Sequence, residues 1–266
     1  MTDKKMINEQ DKYGTRQVQR YLLPMLVDID AFCRANNIEY SLMGGGLLGA
    51  VRHQGFVPWD DDLDIIFTRE NYEKFIRLAP EKLTNYCLVG SIWVRRITLK
   101  DNPHADTEEG CIDLFVFDNV PDSNWKAALK NLLLKTLQGM LKQKVKYKKY
   151  SLSQKILAFG TYCVGRLFTY KFKLYLYDSV SKWGNGKPCK KVNNYVTYYS
   201  MISSMKYDAD KINRYMDAEF EGKTVRIFKE YHHILTTQFG DYMTPTPEGK
   251  RMPTHINVKN TYFEDV

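Results

Sequence analysis

The chain has 266 residues, 44% of them hydrophobic, with 39 Lys and Arg against 31 Asp and Glu and a net charge of +8. That apolar content supports one sizeable core or two modest ones and excludes a disordered chain. No uncharged apolar stretch of the roughly 18 residues needed for a membrane span is present, and Met1–Lys12 lacks the apolar core of a signal peptide, so a cytoplasmic protein is expected.

Apolar residues recur at helical intervals from Lys12 to Asn37 (Val18, Leu22, Met25, Leu26, Ile29, Phe32, Cys33), which predicts an amphipathic helix bent at Pro24. Glu39 to Met43 reads as a short strand, and Gly44, Gly45 and Gly46 as its turn. Leu47 to His53 then forms a helix of barely two turns, stopped by Gly55 and Pro58. A strand from Asp62 to Thr68, a helix from Arg69 to Leu78, and strands at Tyr86 to Leu99 and Cys111 to Phe117 follow, and Pro121 closes this first unit. Helical spacing returns over Asn124 to Tyr150 and Ser151 to Lys182, and Trp183 to Gly186 reads as a loop. The last part holds Glu219-Phe220-Glu221-Gly222, a helix from Lys229 to Phe239 and a polar C-terminal stretch.

This order predicts an α+β fold, a small mixed sheet flanked by helices with a basic, mainly helical insert. The expected divisions are a catalytic core over 1–121, the insert over 122–191, and a segment over 192–266 that completes the catalytic domain. Cys33, Cys87, Cys111, Cys163 and Cys189 are an odd number without zinc spacing, and are expected to be small buried hydrophobes. Charge is unevenly spread. Lys126–Lys191 holds 16 Lys and Arg and the single acid Asp178, a net of +15 that leaves −7 for the remainder. Such a segment suits an anionic membrane surface or another polyanion, with Tyr147 and Tyr150 among Lys142, Lys144, Lys146, Lys148 and Lys149.

The chemistry concentrates between Ser41 and Thr68. Glycines between a strand and a helix let backbone N–H groups approach an anion, and the run Asp60-Asp61-Asp62-Leu63-Asp64 supplies hard oxygen ligands. Asp62 and Asp64, two apart on a strand, share a face, and their mutual repulsion is relieved by a divalent cation such as Mg²⁺ or Mn²⁺. A solvated acidic turn is the ordinary alternative. An EF-hand loop fails, because counting from Asp60 places Ile65 where Gly is needed and Asn71 where Glu is needed. Asp113, between Ile112 and Leu114, is the candidate third carboxylate, as ligand or base, or else a strand-edge residue held by backbone N–H groups.

Gly44-x-Gly46-x-x-Gly49 matches the dinucleotide-binding spacing, with Asp64 about 20 residues on. A βαβ crossover, however, needs a helix long enough to span the sheet, and Gly55 and Pro58 stop this one early. A short helix whose N-terminus meets phosphate, followed by a strand carrying metal aspartates, is the nucleotidyltransferase arrangement. It is a phosphoryl-transfer reading.

The run Gly45-Gly46-Leu47-Leu48-Gly49-Ala50-Val51-Arg52-His53-x-Gly55-Phe56-Val57-Pro58-Trp59-Asp60-Asp61-Asp62-Leu63-Asp64-Ile65 closely resembles the signature of the LicD family. Downstream echoes are Tyr72-Glu73-Lys74-Phe75, Ile112-Asp113-Leu114-Phe115, Phe220-Glu221-Gly222, Phe239-Gly240-Asp241-Tyr242-Met243, Arg251 and His255. The resemblance implies a nucleotidyltransferase-fold enzyme that moves a phospho-alcohol, typically phosphocholine or ribitol phosphate, from a CDP-activated donor to a sugar hydroxyl. CDP-choline is the favoured donor, and a cell-surface glycan or its lipid-linked precursor the acceptor. The implied site has Asp62, Asp64 and Asp113 on the metal, Asp60 assisting, and Gly45, Gly46 and Leu47 at the helix N-terminus on the donor phosphates. Arg52, His53, Arg251 and His255 are further donor contacts. Gly46 departs from the family, which usually carries a hydroxyl residue there, and Lys126–Lys191 matches no family motif. Nucleotidyl transfer to RNA or a small molecule is the alternative activity, although nucleic acid is not the favoured partner, and a catalytically idle binding module is the third reading.

Overall fold

The computed structural model describes residues 11–91, 94–102, 110–142, 152–196 and 205–253. Two compact units emerge, one from the chain up to Val89, Arg95–Leu114 and everything from Lys211, the other from Gly90–Val94 and Phe115–Asp210.

The first unit opens with α1 (Arg16–Ala35), which keeps Pro24 inside the helix and buries the predicted face of Val18, Leu22, Met25, Leu26, Ile29 and Cys33. Then come β1 (Ser41–Met43), α2 (Gly44–His53), β2 (Leu63–Thr68) and α3 (Arg69–Lys82). The stretch expected as one strand is two, β3 (Tyr86–Ser91) and β4 (Val94–Leu99), and β5 (Ile112–Val120) runs on into the second unit. The strands lie in the order β1-β2-β5-β4-β3, with β1 antiparallel to β2 and β4 antiparallel to β5. This is the α+β architecture expected. Because β2 is an interior strand, Leu63, Ile65, Ile66 and Phe67 are all buried, and Phe67 packs at 5.0 Å on Phe75, which meets Phe32 of α1 edge-on at 5.5 Å.

The C-terminal segment supplies a hairpin that the sequence reading did not anticipate. The strands β8 (Tyr215–Phe220) and β9 (Lys223–Phe228) pair in register across Glu221 and Gly222, both at positive φ (50° and 69°). Two left-handed residues joining two strands make the tight turn whose twist matches that of the hairpin. The Phe228 N–H donates to Ser41 Oγ at 3.0 Å, and Phe220 packs at 4.8 Å on Phe56. Helix α7 (Tyr231–Phe239) follows, close to its expected span.

The second unit contains the latter part of β5, helices α4 (Asn124–Leu141), α5 (Leu152–Gly165) and α6 (Tyr170–Ser181), and two short strands, β6 (Lys191–Asn194) and β7 (Tyr207–Asp208). Val120, Leu134, Leu137, Leu141, Tyr177 and Tyr195 form its core. The second long helix expected there is divided in two, because Thr169 takes an extended conformation and caps α6 by accepting the Phe172 N–H. Lysines 144, 146, 148 and 149 and tyrosines 147 and 150 of the basic run lie outside the described residues. No helix among the described residues is long and apolar enough to cross a membrane. The expectation for the cysteines holds for Cys33 and Cys111, whereas Cys163 is exposed and Cys87 and Cys189 are half-buried.

Candidate active site

The register of β1 on β2 pairs Met43 with Asp64, so the chain turns into α2 beside the aspartates. The glycines expected as a turn are the first residues of that helix. Gly44 has φ +57°, and a Cβ there would stand 2.8 Å from Asp64 Oδ2; one on Gly45 would overlap Asp60 Oδ2. The glycines therefore admit two carboxylates against the helix start, where the first backbone N–H groups lack intrahelical acceptors and Met43 provides no side-chain cap. Gly46 differs from its neighbours. A side chain there would face Leu63 Cδ1 at 3.0 Å, inside the domain, and Leu47 is fully buried, so only their backbone N–H groups are placed where a ligand could meet them.

Side chains alternate through the acidic run. Asp60, Asp62 and Asp64 are half-exposed, whereas Asp61 and Leu63 are buried. The start of α1 anchors the loop that leads into the run. Thr15 Oγ1 donates to Pro58 O at 2.6 Å, and buried Gln19 Nε2 donates to Asp60 O at 2.8 Å and Val57 O at 3.2 Å. The hairpin turn anchors the same loop from the other side. Glu221 N–H donates to Gln54 O at 2.8 Å, while its carboxylate accepts the Phe56 N–H at 3.2 Å. Neither Gln19 nor Thr15 was singled out from sequence, because polar residues on an amphipathic helix carry no local mark of a contact some 40 positions away.

Asp113 lies on β5, next to β2 in the sheet, and is paired in register with Arg96. Arg96 Nε donates to Asp113 Oδ1 at 2.6 Å, with the arginine side chain 7% exposed. The carboxylate is thus held by a cross-strand cation that the sequence reading did not name. Among the described residues no group of three or more His, Cys, Asp or Glu side chains is arranged to enclose a metal ion. Mg²⁺ is generally held by only one or two carboxylates together with substrate phosphates and water.

A cationic and aromatic cluster also belongs to this unit. Arg52 NH1 donates to Tyr242 O at 2.7 Å, while its Nε and NH2 are buried without a hydrogen-bond partner. Burial, and secondarily the charge of Arg251, lowers its pKa. Arg251 lies over the Trp59 ring at 4.9 Å, and its Nε donates to Thr246 O at 2.6 Å. His53, at the exposed end of α2, meets Trp59 edge-on at 6.4 Å; partial desolvation, then Arg52, lowers its pKa below 6.5. Trp59, which also meets Tyr13 edge-on at 5.7 Å, is the hub of the cluster, and its only sequence signal was its place before the acidic run. His255 lies outside the described residues.

A glycine-started helix against an interior strand's aspartates, on an α+β sheet, is the arrangement expected of a nucleotidyltransferase domain. Residues 37–131 match the family model LicD/FKTN/FKRP, nucleotidyltransferase domain. The chain is 26% identical to the lipopolysaccharide cholinephosphotransferase LicD of Haemophilus influenzae, over 92% of this chain and 97% of that protein. An uncharacterised protein of Rickettsia typhi is 34% identical over 40% of this chain and 34% of its own length, and one of Rickettsia prowazekii is 42% identical over 23% of each. Over residues 37–131 the chain is thus similar to the LicD family model, and over most of its length to a protein named as a cholinephosphotransferase.

Proposed function

We propose that this phosphotransferase moves phosphocholine from CDP-choline to a sugar hydroxyl of a cell-surface glycan or its lipid-linked precursor. The observation that carries the reading is the approach of Asp60 and Asp64 to the bare backbone of Gly45 and Gly44 at a helix N-terminus. Near-full-length similarity to a protein named as a lipopolysaccharide cholinephosphotransferase supports the choice of alcohol and acceptor class.

The donor set fits a divalent cation by its chemistry, since Asp62 and Asp64, with Asp60 beside them, offer only hard oxygens at a cradle that any side chain would fill. Mg²⁺ or Mn²⁺ held there would offset diphosphate charge and make CMP a better leaving group. The N–H groups of Gly45, Gly46 and Leu47 bind phosphate oxygens, and Arg52, whose buried donors have no protein acceptor, turns them to the donor diphosphate. Asp113, steered by Arg96, orients the acceptor hydroxyl and takes its proton as the oxygen attacks the distal phosphorus. The new P–O bond forms as the bond to CMP breaks, and positioning and charge neutralisation carry the acceleration.

The test is release of CMP from CDP-choline, other CDP-alcohols and, for comparison, the four NTPs, with and without divalent cation. Asp62→Ala and Asp64→Ala are expected to lower turnover on the order of 100-fold or more with an unchanged circular dichroism spectrum. Near-normal turnover in either variant removes the assignment, and pyrophosphate release from an NTP in place of CMP release selects the nucleotidyl-transfer alternative.

A further inference from the structure

Helices α4 and α6 bury apolar residues in the core of the second unit, whereas α5, among its described residues, buries only Gly165 and leaves its apolar side chains in solvent. On α5, Leu152, Ile156 and Phe159 are 75%, 67% and 59% exposed, and their spacing of four and three places them on one face. The stripe leads to the α5–α6 corner, where Val164, Leu167, Phe168 and Phe172 are exposed, Leu167 at 79%, and the rings of Phe168 and Phe172 stack at 5.7 Å. A soluble protein rarely leaves so much contiguous apolar surface uncovered, and such patches mark interaction sites.

Charge at the same corner indicates what covers it. A pocket there is lined by Leu141, Lys142, Arg166, Phe168, Tyr170 and Lys173. Lys173 is 92% buried by its 8% exposure, and its ammonium donates to Met140 O at 3.0 Å and Gly165 O at 2.9 Å, the last carbonyls of α4 and α5. Two of its three protons are thereby used, and its side chain lines the pocket. Across Lys126–Lys191 the only acid, Asp178, pairs with Lys182 one helical turn on at 2.7 Å. The face thus joins an apolar stripe to a cationic pocket whose lining, among the described residues, includes no carboxylate.

We propose that the α5–α6 corner docks on an anionic lipid bilayer, with Leu167, Phe168 and the α5 stripe in the acyl boundary and a headgroup phosphate in the pocket of Lys142, Arg166 and Lys173. A bilayer is the one partner that presents an apolar interior directly beneath a sheet of negative charge, which is the order in which this face presents its own groups. An acidic protein complements the lysines but not the exposed stripe, and a second copy of this basic surface complements neither. The docking is independent of which alcohol the catalytic unit transfers.

The test is co-sedimentation of the full chain with vesicles of phosphatidylcholine alone and of phosphatidylcholine with phosphatidylglycerol in equal parts. Binding is expected only to the second and is expected to weaken with salt. Arg166→Glu should reduce partitioning by roughly fivefold or more, since each basic residue near an anionic surface contributes about that factor. Leu167→Glu with Phe168→Glu should abolish it. All three residues are exposed, so a circular dichroism melt matching the wild type establishes that the fold is retained. Short-chain dihexanoylphosphatidylglycerol should shift the amide resonances of Gly165 to Thr169, and inorganic phosphate should do so far less. Equal shifts with phosphate make the pocket a free-anion site and overturn the proposal. So does wild-type binding by the double variant, or a concentration-dependent dimer that the double variant loses without any vesicle binding.

Discussion

Arg52 is the residue whose unfavourable placement most directly motivates the proposed donor site. Its guanidinium is partly desolvated, has a second cation in Arg251 nearby, and uses one of its donors on a carbonyl while Nε and NH2 meet none. A side chain selected for stability alone would have found a carboxylate. Arg52→Gln is therefore expected to leave thermal stability unchanged or slightly raised while increasing the donor KM by about tenfold or more, as befits a charge-assisted hydrogen bond to phosphate. A fall in melting temperature with an unaltered KM, read by calorimetry and steady-state kinetics, assigns Arg52 to structure instead. His53 carries a related signature. Its pKa lies below 6.5 in the free protein because of partial desolvation and Arg52, and a donor diphosphate beside it draws that pKa upward. The complex then binds more protons than the free protein, so donor affinity rises as pH falls from the pKa of the complex toward the lower one of the free protein, and His53→Gln flattens that trend. A pH profile of KM that is the same in the variant removes His53 from the donor site. The adjacency of the glycines and the carboxylates was legible in the chain, because Asp60 to Asp64 follow the three glycines closely and residue type suggested that they meet. Arg96 beside Asp113 was not, since a pair formed across strands depends on register, which no local pattern of residues 95–99 reveals.

Elements explain why the acidic run stands where it does. The loop over residues 54–60 is irregular, and irregular backbone keeps one position only when its polar groups are engaged. Gln19 of α1 engages two of its carbonyls and Glu221 of the β8–β9 turn engages Phe56, so two elements distant in sequence hold it from either side. Gln19→Leu leaves both acceptors without that donor, and a loss of about 1–3 kcal/mol is expected. Because the loop carries Asp60 and leads to Asp62, kcat should fall more than the donor KM rises, and Glu221→Ala should behave alike. Stability lost without any change in kcat would show that the loop's position does not govern the carboxylates. The tertiary origin of these contacts also accounts for the uneven sequence reading of the elements. Helix α1 and strand β2 were readable from periodicity, since each is long or interior enough to repeat its burial pattern. The hairpin was missed because Tyr215–Phe220 exposes Met216, Asp217 and Glu219 and buries only Phe220, leaving little alternation to detect. Helix α2 was begun three residues late because glycine is a poor helix former. Here the requirement for bare backbone against Asp60 and Asp64 overrides that preference.

Over the whole molecule, charge is divided between a basic segment of +15 and a remainder of −7. The remainder contains Asp60 to Asp64 and Asp113, so on the proposed reading an anionic donor approaches a negative region and would depend on short-range neutralisation at Arg52, the helix N-terminus and a cation. Such interactions, partly buried, are weakly screened. In the proposed docking the basic segment acts through cations such as exposed Arg166, whose attraction to an anionic surface is lost over about a Debye length of roughly 8 Å at physiological salt. The two regions should accordingly respond differently to ionic strength. With a water-soluble sugar acceptor, turnover of CDP-choline is expected to change by less than about twofold between low and physiological salt. With the same sugar displayed on a lipid in phosphatidylglycerol vesicles, the rate at sub-saturating acceptor should fall by roughly tenfold or more, because docking concentrates the enzyme at its acceptor and salt dissolves that advantage. Arg166→Glu should depress only the vesicle reaction, at low salt. An equal salt response with both acceptors would place the sensitivity at the donor site and leave the charge of the helical unit without a part in catalysis.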